Sequence, residues 1–194
     1  MNVEDLNILI HQRRSVFPKD YTGEKVDDSI VLQLLENANW APTHKLTAPW
    51  RFKVFCEAGL KLFAEYQAKN YYDKLSGSDK FIEKKYQKLL NSPLKCSHII
   101  SVGMHRSLEV SIPQVEEIAA VACSVQNILL SAHAYGLGAY WTTGGVTYSE
   151  GVKGFFDLSG DDKLLGFVYI GVINSVKGRG YRQPIDSKVN WYRG

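Results

Sequence analysis

The residues best suited to chemistry in this chain fall into four short segments. Arg13-Arg14-Ser15 sets two guanidiniums beside a hydroxyl, and the planar guanidinium fork matches phosphate oxygens bidentately. The alternative is a helix end decorated with cations that favour its dipole. Pro42 and Pro49 bracket Thr43, His44, Lys45, Leu46, Thr47 and Ala48, a polar loop that the two prolines are expected to hold extended. Tyr135 to Gly145 (YGLGAYWTTGG) is punctuated by glycine, and Trp141, Thr142, Thr143 and Gly144 offer backbone amides and hydroxyls to a flat ligand. The segment Lys177 to Pro184 carries Lys177, Arg179 and Arg182, which could complete an anion site or form a solvated end.

Other chemistries find little footing. The G-x-G of Gly136-Leu137-Gly138 follows a helical pattern instead of opening one, the wrong context for a dinucleotide fingerprint, and no phosphate-binding G-x-x-x-x-G-K-[ST] occurs. There is no G-x-S-x-G elbow and no H-E-x-x-H. Cys56, Cys96 and Cys123 form no C-x-x-C and no zinc-like spacing, which fits reduced thiols, a reducing compartment and no metal site.

These segments need elements to position them. Val3, Leu6, Ile8, Leu9 and Ile10 predict a helix over 3–13 that delivers Arg13-Arg14-Ser15. Asp27 or Asp28 caps a second helix through Asn39, which Pro42 ends. A strand follows over 51–56, with Phe52, Val54 and Cys56 on its apolar side. Residues 59–90 read as helix broken near Ser76-Gly77-Ser78. From Lys69 to Lys95 seven lysines stand against three acidic residues, the pattern of a solvated face or of a nucleic-acid surface. Ser97 to Met104 reads as a buried strand, Val115 to Tyr135 as a long apolar helix, 149–156 as a short helix, and Leu164 to Ile173 as a central strand. The order lacks regular βα alternation, so the expected class is α+β in one domain spanning 1–194.

Composition closes off further classes. The chain has 194 residues, 45% of them hydrophobic, and 23 Lys+Arg against 20 Asp+Glu give a net charge of +3. That balance excludes general disorder, and it is far from the basic excess of dedicated nucleic-acid binders. The start, Met1-Asn2-Val3-Glu4-Asp5, has no signal-peptide pattern. The apolar stretch 118–141 is interrupted by Ser124, Gln126, Asn127, Ser131 and His133, which lipid would penalise. The expected location is the cytoplasm, with no membrane and no nucleic-acid partner.

Taken in this order, Arg13-Arg14-Ser15, APTHKLTAPWRF, GLGAYWTTGG and GFVYIG resemble the FMN-dependent nitroreductase family, in its short, compact branch. The resemblance runs from about residue 3 to residue 175 and implies a nitroreductase-like mixed sheet flanked by helices, in an intertwined homodimer with FMN at the subunit interface. It implies that Arg13, Arg14 and Ser15 hold the phosphate and ribityl chain, assisted by Arg182 or Lys177. His44 with its neighbours Lys45, Thr47 and Ala48 reaches the flavin from the other subunit. Trp141, Thr142 and Thr143 line the ring, with Gly144 near its redox edge. The implied activity is hydride transfer from NADH or NADPH through FMN to nitroaromatic, quinone or flavin acceptors in a ping-pong cycle, with the chemistry on the flavin and no catalytic side chain. Two positions depart from the branch: Ala48 stands where Gln is common, and Thr142 where Arg is common. The alternative is therefore a flavin-binding storage or sensing module without efficient turnover.

Overall fold

Capping chemistry sets the first elements. Helix α1 (Val3–Gln12) starts where the Asn2 side chain accepts the Asp5 N–H at 2.8 Å and the Asp5 carboxylate accepts the Asn2 N–H at 2.9 Å, satisfying donors that a helix start leaves open. Helix α2 (Asp28–Asn39) starts at Asp27, whose carboxylate accepts the Ser29 N–H at 2.8 Å. The computed structural model describes residues 2–107, 111–149, 151–175 and 180–194. Strand β1 (Trp50–Cys56), helices α3 (Ala58–Leu75) and α4 (Glu83–Asn91), strand β2 (His98–Met104), helix α5 (Gln114–Ala134) and strands β3 (Leu137–Thr142) and β4 (Lys163–Val172) complete the order.

The four strands form one sheet in the order β1-β2-β4-β3, with every pairing antiparallel. A single parallel bridge, Ser15 to Ala139, attaches the segment after α1 to the outer edge of β3. Both sheet faces are covered. On one, Leu34 and Ala38 of α2 and Val121, Val125 and Ile128 of α5 meet Ile100, Val102, Val168 and Ile170. On the other, Phe63 of α3 meets Phe55, Ile99, Phe156, Phe167 and Tyr169. The expected α+β class is the observed one, and the apolar run in β4 reflects its interior place between β2 and β3.

Two-sided burial also explains where patterning misleads. Alternation in β1 points to Phe52, Val54 and Cys56, yet Phe55 is the residue buried among the α3 aromatics, and Val54 on this edge strand is 38% exposed. The helix expected over 149–156 is a single 3-10 turn, Lys153–Phe156. The loop between Pro42 and Pro49 is not extended: His44–Leu46 form a 3-10 turn, and Lys45, Leu46 and Ala48 have φ of +50°, +56° and +41°. Left-handed backbone costs a non-glycine residue of order 1–3 kcal/mol. Here it is held by the Ala48 N–H donating to Thr43 Oγ1 at 3.2 Å and by Thr43 Oγ1 lying 3.1 Å from Thr47 Oγ1.

Helix α5 is long and apolar enough by length and composition to cross a membrane. Its buried face nevertheless includes Glu117 and Ser124, and its Asn127 donates to the Asn37 carbonyl of α2 at 3.0 Å, the contacts of a core helix. Glu117, 1% exposed, pairs with Arg106 and accepts the Ser107 N–H at 2.8 Å, while Arg106 Nη2 donates to the Ile112 carbonyl at 2.6 Å. This pair, with its carboxylate buried, locks the exit of β2 onto the first turn of α5.

Candidate functional site

Arg13 is the C-cap of α1, where its own N–H donates to the Leu9 carbonyl at 3.1 Å. Arg14 folds back on the same helix end: Nη1 donates to the His11 carbonyl at 2.5 Å and to the Arg13 carbonyl at 2.7 Å. Its Nε is buried and has no hydrogen-bond partner among the described residues. The backbone at Gly180 presses on this guanidinium so closely that a Cβ there would lie 2.3 Å from it. That contact brings Arg182 to the same place.

Ile10, His11, Arg13, Arg14, Gln126, Gly180 and Arg182 together line a cavity of about 750 Å³. Burial, then the charges of Arg14 and Arg182, hold the Arg13 guanidinium below its usual pKa. Burial, then Arg13 and Arg14, likewise lower the pKa of His133 on α5. Three guanidiniums converge, no carboxylate lines the cavity among the described residues, and one buried donor is unspent. Like charges at such spacing repel, and a bound dianion reverses that penalty. The arrangement fits a phosphate monoester.

Strand β3 carries the second half of the candidate site. Its alternation separates residues that are neighbours in sequence. Trp141 faces the α2–α5 side, where Nε1 donates to the Leu165 carbonyl at 3.1 Å. Tyr140 and Thr142 face the other way. There Thr142, Gly144, Gly145, Tyr140, Tyr169, Gln67, Lys85, Lys88, Leu89 and Ser92 line a cavity of about 280 Å³. Burial pushes the Tyr140 phenol up to about 12 and raises that of Tyr169, so both are neutral hydroxyls at physiological pH. Gln67, 3% exposed, donates from Nε2 to the Leu89 carbonyl at 2.8 Å, which ties α4 to the cavity wall that Gln67 shares with Tyr169.

Ser15 bridges to Ala139, and three residues of strand, about 10 Å, separate Ala139 from Thr142. Thr143 is exposed, and the Gly144 N–H donates to Thr142 Oγ1 at 3.3 Å. Gly138, near the start of this segment, makes room for a side chain of the protein. Gly138 and Gly171, cross-strand partners, receive the ring of Tyr21, and a Cβ at Gly171 would lie 2.3 Å from it. The flat group that approaches this backbone is the protein's own.

The loop 43–48 lies elsewhere. His44 Nδ1 pairs with Glu116, and Lys45 Nζ donates to Ser111 Oγ at 2.9 Å, both near the start of α5. The arginine cavity touches α5 at Gln126, and Arg13 and Arg14 act on His133 near its end. Ten to seventeen residues of helix lie between, roughly 15–25 Å along the axis. One chain therefore brings Arg13, Arg14 and Arg182 together, and Thr142 with Gly144, but not His44, Lys45, Thr47 or Ala48. Lys177 and Arg179 lie outside the described residues.

Sequence reasoning missed Gln67, Lys85 and Lys88. The two lysines sit three apart on α4, in a run that composition alone assigns to a solvated face. The one available signal was the apolar Leu89-Leu90 beside them, which turns part of α4 toward the molecule.

The fold is an antiparallel sheet between helices, with an arginine-lined cavity near the edge of one strand and a glycine-bearing cavity at that strand's end. The profile of the nitroreductase family matches residues 10–172, and the chain belongs to that family. YfhC of Bacillus subtilis (strain 168), which bears an NAD(P)H nitroreductase name, is 27% identical over 185 residues, 93% of this chain and 90% of its own. A nitroreductase-like family protein from Bacillus cereus superposes with a TM-score of 0.83 at 25% identity, covering 100% of this chain and 99% of its own. A structure from Desulfovibrio desulfuricans described as a nitroreductase in complex with FMN superposes with a TM-score of 0.70 at 24% identity, covering 100% and 98%.

Proposed function

We propose that the protein is an FMN-dependent NAD(P)H oxidoreductase that reduces nitroaromatic, quinone or similar acceptors. The observation that carries this reading is the convergence of Arg13, Arg14 and Arg182 around a buried Arg14 Nε that has no partner among the described residues. Those guanidiniums hold the phosphate of FMN, Ser15 faces the ribityl chain, and the cavity of Thr142 and Gly144 receives the ring. When bound, FMN supplies hydride chemistry at N5, taking electrons from NADH or NADPH and giving them to the acceptor in alternate half-reactions. The chain provides orientation, an apolar wall and fixed charge. The neutral hydroxyls of Tyr140 and Tyr169 donate without ionising, and Lys88 supplies positive charge in the cavity where the branch more often places an arginine at 142.

The reading includes a homodimer. Helix α1 buries none of its residues within one chain, leaving Leu6, Ile8 and Ile10 exposed. Leu46, at the tip of the strained loop, is 87% exposed. A second chain covers these apolar groups and carries its His44 loop to the flavin that the first chain's arginines anchor, which spans the separation along α5. The reading also keeps the chain as one domain working in the cytoplasm, away from membranes and nucleic acids.

A visible absorption spectrum before and after anaerobic NADH or NADPH tests the reading. Flavin bands that bleach are expected. Bands that persist favour a storage or sensing module, and no bands even after added FMN overturn the cofactor assignment.

A further inference from the structure

The cavity beside Thr142 and Gly144 shares Gln67, Lys85 and Gly145 with a second cavity of about 160 Å³, whose wall also carries Asn70, Tyr71 and Lys74. Lys74, Lys85 and Lys88 thus border adjoining hollows in which no Asp or Glu lines the wall among the described residues. Their neighbours on α3 are neutralised locally: Lys69 pairs with Asp73 at 2.6 Å, and Lys61 with Glu65 at 3.7 Å. Lys74, Lys85 and Lys88 have no acidic partner among the described residues.

Lys85 is also positioned. Its Nζ lies 4.9 Å from the centre of the Tyr71 ring, an arrangement that holds a cation against an aromatic face. Tyr71 is itself fixed: its hydroxyl accepts the Ile82 N–H at 2.9 Å and lies 3.4 Å from the Lys80 carbonyl. The turn between α3 and α4 therefore sets a lysine at the junction of the two cavities.

We propose that the second cavity is an anion subsite, which takes the carboxylate or a similar anionic substituent of the oxidising substrate while the reducible part of that molecule lies beside Gly144. Lys74 and Lys85 supply the charge and Asn70 a neutral donor. The placement of the reducible part rests on the flavin reading above; the anion subsite itself does not. An anionic group could come from the acceptor or from the phosphates of the nicotinamide nucleotide, and the test separates the two.

Benzoate binding is measured by titration calorimetry at low ionic strength on the wild type, Lys74→Ala/Lys85→Ala and Lys74→Arg/Lys85→Arg. The alanine pair is expected to weaken binding by about tenfold, the order of two exposed charge pairs, and the arginine pair to retain it. In turnover, the kcat/KM ratio of 4-nitrobenzoate to nitrobenzene is expected to fall about tenfold in the alanine pair. Absence of benzoate binding to the wild type, or equal binding by all three proteins, overturns the proposal. So does a slower anaerobic reduction by limiting NADPH with an unchanged acceptor ratio, which assigns the lysines to the nucleotide. If the wild type carries no flavin, the flavin reading has failed, and the benzoate titration alone still upholds or overturns the subsite.

Discussion

Replacing Arg14 by lysine keeps a positive charge and removes the guanidinium fork, so it isolates what the unspent Nε contributes. In the wild type, Nη1 is committed to the His11 and Arg13 carbonyls and Nε has no acceptor among the described residues. A phosphate oxygen that accepts from Nε adds one charge-assisted hydrogen bond, worth about 1.5–3 kcal/mol. At 1.4 kcal/mol per tenfold, Arg14→Lys should raise the FMN dissociation constant by about 10- to 150-fold. Arg14→Ala should weaken binding further, because it also removes the charge. The assay is quenching of FMN fluorescence during titration of the apoprotein.

The histidine nearby supplies a second readout. His133 is held below its usual value of 6.5 by burial and then by Arg13 and Arg14. A group whose folded pKa is depressed in this way resists protonation, so the apoprotein loses stability as pH falls through 6.5. A bound phosphate dianion opposes the arginine charges, so FMN should raise the His133 pKa in an NMR titration and flatten that acid loss. Wild-type affinity in both Arg14 variants, with no movement of His133 on adding FMN, would refute the phosphate assignment.

Three further outcomes follow from the packing. Glu117→Gln removes the buried charge that faces the partly exposed Arg106 guanidinium, and urea unfolding should show a loss of about 1–3 kcal/mol; an unchanged midpoint would mean the pair contributes nothing. Gly171→Ala drives a Cβ into the Tyr21 ring, and thermal unfolding should report a loss of about 1–3 kcal/mol, with near-wild-type stability ruling out the close approach. Asp162 is pushed up by burial but held lower overall by the N–H groups of Ser159 and Arg106 and by His105. Its depressed folded pKa means that its stabilisation is complete above the ordinary value of 3.8 and is lost as pH falls below it. Asp162→Asn should remove that acid-dependent portion of the unfolding curve, and an unchanged pH profile would exclude it.

Much of the scaffold was legible because local chemistry and burial agree there. Asp27 caps α2 as its type and position suggest, and the β2 and β4 runs are apolar on both faces because helices cover both faces. Trp50 after Pro49 is packed, 7% exposed, its Nε1 donating to Asn39 Oδ1 at 3.0 Å. Arg13 and Arg14 were legible by residue type alone as candidate anion ligands, with a helix end decorated by cations as the alternative. Lys85 and Lys88 were not, because a lysine run reads the same on a solvated helix as at a cavity rim.

The sequence by itself determined the caps, the strand and helix periods, and the two arginines at the end of α1, all of which depend on residues within a few positions of one another. Only the tertiary structure decided what those residues meet. It turned Trp141 and Thr142 to opposite faces of β3, filled the Gly138–Gly171 hollow with Tyr21, and brought Arg182 beside Arg14 through Gly180. It also placed His44 far along α5 from those arginines. Strand alternation alone separates Trp141 from Thr142, but which layer each one meets, like the Tyr21 and Gly180 contacts and the distance to His44, depends on residues remote in sequence and on how the layers pack, which no local pattern encodes.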